Sequence, residues 1–127
     1  MARTPITLVT PIGPYPVLPI AANSADYAMA ACTGSSGASG NQAAFGNFNR
    51  LLFLAQNTDG ANPYTILISS LANSNTLNRT GDYGAYTMQA GEFAAFFIER
   101  NGFYQSDGNL YFESNNAAIK VAIIGVQ

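Results

Sequence analysis

Short apolar runs alternate with polar turns along the last third of the chain, and this spacing limits the fold more than any other feature. The runs cover residues 93–98, 110–113 and 119–126, and each has the length of a strand. Asn101-Gly102, between the first two runs, suits a turn with positive φ. No segment has the 3.6-residue period of an amphipathic helix. The pattern predicts an all-β domain.

Two runs in the middle of the chain, residues 50–55 and 64–69, are also continuous and apolar. Asp59-Gly60 lies between them, and Asp-Gly is a strong turn signal, so we expect an antiparallel hairpin with a longer loop. Residues 83–88 are expected to form a short edge strand. A strand spacing of about 10–15 residues favours a single antiparallel β-sandwich or jelly-roll-like domain over an α/β fold.

The first 22 residues predict an extended proline-rich arm. Five of the six prolines lie there, and each lacks an N–H and favours extended geometry in the residue before it. Such a segment forms an edge strand along its own domain or an arm packed on a neighbouring surface, and the sequence leaves both open. Residues 23–127 are assigned to the β-sandwich domain. Within it, residues 26–31 fit a strand or a helical turn, and residues 33–41 form a Gly/Ser loop.

The residues that most enzymes need for acid–base chemistry are scarce in this chain. Histidine is absent, which excludes Ser-His-Asp and Cys-His arrangements. Cys32 is the only cysteine, so it forms no intrachain disulfide, and we interpret it as a small buried or half-buried side chain. We expect no enzyme activity, no cofactor and no metal site. Glu92 and Asp107 are interpreted as turn residues, and the eight phenylalanines as core residues.

The low charge suits contact with another protein, although a secreted or simply low-charge globular domain would have the same composition. Only 9% of residues are charged, against about 25% in an average soluble domain, so few long charged side chains must be immobilised on docking. The net charge is −2 and the five basic residues are scattered, which argues against nucleic acid. No run approaches the roughly 18 apolar residues that span a membrane. We therefore expect a protein made in a cytoplasm without a membrane association.

Three carboxy-terminal motifs resemble those of a known group of virion proteins. They are Ala90-Gly91-Glu92 before an aromatic strand, Gln105-Ser106-Asp107-Gly108 before an apolar-Tyr-Phe strand, and the closing run Ile119-Lys120-Val121-Ala122-Ile123-Ile124. The pattern is similar to small structural proteins of tailed bacteriophages, above all capsid decoration (cement) proteins. The resemblance covers residues 50–126. It departs from the family at Gln89, where proline is favoured, and at Phe96-Phe97, where a Gly-Pro-aromatic step is common.

The resemblance implies a non-enzymatic protein on the surface of a phage capsid, made in the host cytoplasm. Its partner would be the major capsid protein, and a homo-oligomer, with a trimer favoured, is the expected form. A pre-extended arm is ordered on a neighbour at low entropic cost. We therefore predict that apolar arm residues contribute to contacts with other subunits or the capsid: Ile6, Leu8, Val9, Tyr15, Val17 and Leu18.

Three alternatives remain open at the level of sequence. A glycan-binding module would use exposed tyrosines beside Asn and Asp. A tail or head–tail structural module would keep the virion assignment and change only the location. A hydrolase would use a pair of the seven carboxylates roughly 5–10 Å apart, although Asp59, Asp82, Glu92 and Asp107 all lie in predicted turns.

Overall fold

The computed structural model describes residues 3–9, 29–32, 40–70 and 82–126. Most of these residues are in strands, and one short helical turn, α1, interrupts them. The strands are β1 Thr4–Pro5, β2 Leu8–Val9, β3 Ala30–Ala31, β4 Asn41–Ala44, β5 Arg50–Asn57, β6 Tyr64–Ser69, β7 Tyr83–Met88, β8 Phe93–Glu99, β9 Asn109–Ser114 and β10 Ile119–Gly125, with α1 at Arg100–Phe103. The predicted all-β class is confirmed.

The strands form two five-stranded sheets. Sheet A has the order β1-β4-β9-β6-β7, and sheet B has the order β2-β10-β5-β8, with β3 also paired to β10. Most pairs are antiparallel, but β1 runs parallel to β4 and β2 runs parallel to β10. The prediction of a purely antiparallel sandwich is therefore wrong at the amino-terminal strands. The sheets are mixed because residues 3–9 run alongside β4 and β10 in the same direction.

The predicted hairpin between β5 and β6 is also wrong, because these strands belong to different sheets. β5 pairs with β10 and β8, whereas β6 pairs with β7 and β9. The connection between them contains a turn that Asp59 stabilises. The Asp59 carboxylate accepts hydrogen bonds from the N–H groups of Ala61 at 2.8 Å and Asn62 at 2.9 Å. An Asp-Gly step therefore marks a turn here without joining paired strands.

The remaining predicted strands and turns largely agree with the structure. β7 is an edge strand, and β8, β9 and β10 occupy the predicted carboxy-terminal runs. Gly102 has φ 116° and Gly108 has φ 87°, as their turn positions require. The Gly/Ser loop prediction fails at its end, because Asn41 begins β4 and is fully buried. Residues 33–39 of that loop lie outside the described residues.

The core lies between the two sheets and is built by alternation along the strands. In β5, Leu51, Phe53 and Ala55 are buried while the residues between them are half-exposed. The Phe53 ring contacts Phe112 of the opposite sheet edge-on, with centroids 5.0 Å apart. Cys32 is fully buried, as expected, and this burial raises the pKa of its thiol to about 12.

Residues 3–9 of the predicted arm lie along their own domain. Ile6 belongs to the buried core, and Leu8 packs against that core. Val9 pairs with Ile124 of β10. The segment thus behaves as two edge strands, one in each sheet. Tyr15, Val17 and Leu18 lie outside the described residues, and the interface role of the arm stays a prediction.

We expect Phe53→Ala to lower the free energy of unfolding by about 3–5 kcal/mol, because it removes a ring that joins both sheets. Urea denaturation at low protein concentration measures the change. Thr87→Ala, at an exposed position in β7, is the control and should stay within about 0.5 kcal/mol of wild type. A loss below about 1 kcal/mol for Phe53→Ala would contradict the placement of this ring at the centre of the core.

Candidate interaction surface

The side of sheet B that faces away from the core carries a continuous apolar surface, here called the outer face. Since Leu51, Phe53 and Ala55 point inward, the residues between them point outward. The strand register then aligns the outward residues of β8, β5 and β10 in cross-strand rows. The apolar members of these rows are Leu52, Leu54, Phe93, Ala95, Phe97 and Ile124, together with Ala122, which is only 2% exposed.

Two aromatic side chains dominate the exposed area of the outer face. Phe93 is 71% exposed and Phe97 is 57% exposed. A groove of about 250 Å³ adjoins them, lined by Met29, Leu54, Ala55, Phe93, Ala94 and Ala95. Exposed aromatics grouped on one apolar surface mark an interaction site more often than single scattered ones do.

Charged groups lie at both ends of the outer face. At one end the Arg50 and Glu99 side chains form a salt bridge of 2.8 Å, and the Arg50 guanidinium lies 5.6 Å from the centre of the Phe97 ring. Both side chains are more than a third exposed, so the pair adds little stability and mainly orients its neighbours. At the other end Lys120 pairs in register with Gln56. The apolar surface thus has a polar border, as protein interfaces do.

The position of Phe93 is set by the turn that precedes it. The Gly91 N–H donates to the Asp59 carbonyl at 3.1 Å, and Gly91 has φ 75°. The Glu92 carboxylate accepts the Gln89 N–H at 2.7 Å and the Tyr86 hydroxyl at 2.9 Å. Glu92 is therefore a turn residue, as predicted, and it ties the start of β8 to β7.

Asn57, at the end of β5, connects this turn to the rest of the molecule. Its side chain is fully buried, and its amide N–H₂ donates to the carbonyls of Asn62 at 2.8 Å and Met88 at 3.1 Å. Its side-chain oxygen accepts the Asp59 N–H, and its backbone N–H donates to the Glu92 carbonyl. One amide thus joins two connections and the ends of β5 and β7.

Carboxylates at the turns pair with tyrosine hydroxyls. Hydrogen bonds from the Ala61 and Asn62 N–H groups lower the pKa of Asp59. The Tyr111 hydroxyl, at 2.7 Å, is the main cause that lowers the pKa of Asp107, and the Asn109 N–H adds to it. These bonds explain the two Asp residues as turn residues, which agrees with the interpretation of Asp107 from the sequence.

Potential metal ligands are dispersed among the described residues. None of their His, Cys, Asp and Glu side chains form a group of three that could hold a metal ion. No helix in the described ranges is long and apolar enough to cross a membrane. The outer face itself combines apolar side chains at its centre with charged groups at its border.

The outer face was not predicted from the sequence. Of the predicted interface residues, Ile6 is in the core, and Leu8 and Val9 are in β2 at the opposite edge of sheet B. Tyr15, Val17 and Leu18 lie outside the described residues. The expectation that all eight phenylalanines are core residues is wrong for Phe93 and Phe97, which are exposed. Their spacing of four with Ala95 between them places all three on one strand face, and the buried Ile98 is on the other. That spacing was the available signal.

Comparison with protein families, with curated proteins and with solved structures gives no match. The resemblance to phage decoration proteins therefore rests on the turn motifs and the strands that follow them. In the structure these motifs lie at the 89–92 turn before β8, at the 105–108 turn before β9, and in β10.

Asn57→Asp should lower the free energy of unfolding by about 3 kcal/mol at pH 7, because a buried carboxylate would face two carbonyl oxygens. Urea denaturation at pH 7 and pH 4 measures the loss, which should shrink at pH 4 as the carboxyl becomes protonated. Asn115→Asp is the matched control, since the exposed Asn115 only accepts the Thr65 N–H and an Asp does the same. Equal effects of the two substitutions would contradict the role of Asn57.

The lowered pKa of Asp59 and Asp107 predicts a loss of stability in acid. The pKa of each carboxyl is lower in the folded protein than in the unfolded chain. Each carboxylate therefore contributes fully to the free energy of unfolding above the unfolded-state pKa of about 3.9, and this contribution is lost as the pH falls through the folded-state pKa. Between pH 5 and pH 2 the urea midpoint of the Asp59→Asn, Asp107→Asn double variant should therefore fall less than that of wild type. Glu113→Gln, which removes a carboxylate without hydrogen bonds to described residues, should follow wild type; parallel curves for all three proteins would refute the prediction.

Proposed function

We propose that this chain is a non-enzymatic structural protein of a phage virion. In this proposal it is made in the host cytoplasm, binds the major capsid protein on the outside of the assembled capsid, and stabilises the shell as a decoration protein. The observation that carries the proposal is the outer face, where Phe93 and Phe97 project from a rigid sheet that the Asn57 and Glu92 hydrogen bonds hold in place. The resemblance of the turn motifs names the class of partner.

A rigid apolar surface suits binding to a fixed lattice. Side chains that are already ordered lose little conformational entropy on docking. More of the free energy gained by burying the exposed aromatic side chains is therefore retained as binding affinity. A shell offers many equivalent sites, and a ligand that binds only the assembled shell stabilises it by mass action. Bridging between neighbouring capsid subunits would add avidity without new kinds of contact.

The distribution of cations supports a protein partner over nucleic acid. Arg50 is paired with Glu99, and Arg100 donates to the carbonyls of Gly46 and Phe48 and lies 4.1 Å from the centre of the Tyr104 ring. Arg3 donates to the Asn41 carbonyl and lies over the Tyr111 ring. These guanidinium groups serve contacts within the chain. Phosphate binding requires clustered cations that are available to the ligand.

The finer features of the fold belong to the same proposal. From β4 to β6 and from β7 to β10 the chain passes to the other sheet at each step, an order compatible with a double-sheet jelly roll. The arm beyond residue 9 would contact neighbouring subunits of a homo-oligomer, for which the resemblance favours a trimer. Deleting residues 1–20 would also remove β1, β2 and the buried Ile6, so the deletion would affect folding as well as any contact of the arm.

Replacing both Phe93 and Phe97 by Ser should weaken binding to capsid shells by about tenfold or more, since each exposed aromatic is an anchor of the apolar surface. The measurement is co-sedimentation with shells assembled from the major capsid protein of the same phage. Thr87→Ser, on the exposed side of β7 in sheet A, should bind like wild type.

Three outcomes would count against the proposal. Wild-type protein that fails to co-sediment with shells contradicts the capsid location, and binding to isolated tails would favour the tail or head–tail alternative. Binding that is unchanged in the double variant contradicts the outer face as the docking surface. Far-UV circular dichroism shows whether the variant keeps its fold.

A further inference from the structure

β8 is an outer strand whose far edge pairs with no strand in the described ranges. Its near edge pairs with β5 through seven residue pairs, from Arg50–Glu99 to Gln56–Phe93. Two backbone bonds frame this ladder: the Asn57 N–H donates to the Glu92 carbonyl at 2.9 Å, and the Arg100 N–H donates to the Asn49 carbonyl at 2.7 Å.

These two bonds determine which backbone groups of β8 are free. Hydrogen-bonded pairs alternate along an antiparallel ladder, so the backbone groups of residues 94, 96 and 98 face β5. The N–H and C=O groups of Phe93, Ala95, Phe97 and Glu99 point away from β5, toward the far edge. The residues that expose their side chains on the outer face thus also present unpaired backbone groups.

The other sheet edges are protected in ways that β8 is not. β1 is only two residues long and includes Pro5. The edge of β10 is covered by β2 and β3. The pairing of β7 shifts register between Ile66 and Ile68, beside Gly84 with φ 118°. β8 has seven regularly paired residues without lysine, proline or a bulge, and such an edge is a template for another strand.

We propose that the far edge of β8 pairs with β8 of a second copy of this chain, antiparallel and related by a two-fold axis at Ala95. The outward residues of β8 read Phe93, Ala95, Phe97, which is the same in both directions. Antiparallel pairing about Ala95 therefore places Phe93 of each copy opposite Phe97 of the other. Such an isologous contact needs only one self-complementary surface.

The surroundings of the axis fit this arrangement. The hydrogen-bonded backbone groups would be those of Phe93, Ala95 and Phe97 in each copy, all of which point to the far edge. Small Ala95 residues meet at the centre, and the aromatic rings form cross-strand pairs on either side. Glu99 would lie opposite Gly91 of the second copy, where the space beside Gly91 is open, so no two carboxylates are placed directly opposite each other.

Pairing would join two copies of sheet B into one continuous sheet. Their outer faces would then form a single surface of twice the area. The pairing rests on the free edge alone and does not depend on what the outer face binds. It closes as a dimer and so differs from the trimer that the resemblance favours.

The test is sedimentation equilibrium of the isolated protein from about 1 to 300 μM, with the Ala95→Pro variant and with Thr87→Ser, at an exposed position in β7, as the control. Proline at residue 95 removes only an N–H that points to the far edge, so the β5 ladder is kept. We expect wild type and Thr87→Ser to form dimers, and Ala95→Pro to have a dimer dissociation constant at least tenfold higher. A wild-type monomer throughout, or an oligomer unchanged in Ala95→Pro, overturns the proposal.

A crosslinking experiment covers the case in which Ala95→Pro does not fold. In the Ala95→Cys variant, the Cα atoms of the two substituted residues would be about 5.5 Å apart in the dimer. This distance is within the range of a disulfide. Air oxidation with copper phenanthroline should give a dimer linked by a disulfide between the two substituted residues. Cys32 should not contribute to crosslinking, because it is buried. Thr87→Cys, on β7, is the control, and equal dimer yields from the two variants overturn the proposal. Shell binding, measured separately by co-sedimentation, reports on the proposed function.

Discussion

A single buried amide, Asn57, holds the connections at one end of the sandwich in place. The chain passes from sheet B to sheet A after β5 and returns to sheet B after β7, so strand pairing alone does not position these crossings. Asn57 donates to a carbonyl in the first connection and to the last carbonyl of β7, and its backbone N–H binds the residue before β8. An amide can do this because it carries both donors and an acceptor.

The position of the outer face follows from the same constraint. β8 begins directly after the turn that Asn57, Asp59 and Glu92 hold, so the direction in which Phe93 points is determined from within the protein. Because Phe96 and Ile98 face the core, alternation along β8 places Phe93 and Phe97 on the opposite side of the sheet. They remain on a surface that is rigid and apolar, which is what docking on a fixed partner requires.

The amino-terminal segment shows how neighbouring strands share the protection of one edge. β2 and β3 each contribute only two residues, but together they cover β10 at successive positions. This leaves β8 as the only long regular edge among the described strands, and it carries the same residues as the outer face. The proposed association through the edge and the proposed docking through the face would therefore involve different atoms of one strand, so the two are compatible.

Several elements could be predicted because they depend on local chemistry. Apolar runs of strand length, the glycines at residues 102 and 108 and the carboxylates at turns all act within a few residues, and each was recognised. The failures concern pairing. β5 and β6 both alternate inward and outward, and alternation does not tell which strands become neighbours, so a hairpin was expected where the chain changes sheets.

The sequence by itself determined that this protein is a β-sheet domain with a single buried cysteine and carboxylates that serve its turns. Only the tertiary structure decided which sheet each strand joins, which residues of the first nine enter the core, and which phenylalanines remain outside. The physical reason is that strand propensity and turn chemistry are local, whereas burial depends on what covers a face. Phe53 and Phe97 lie in neighbouring strands of one sheet; the first meets Phe112 across the core, and the second meets solvent.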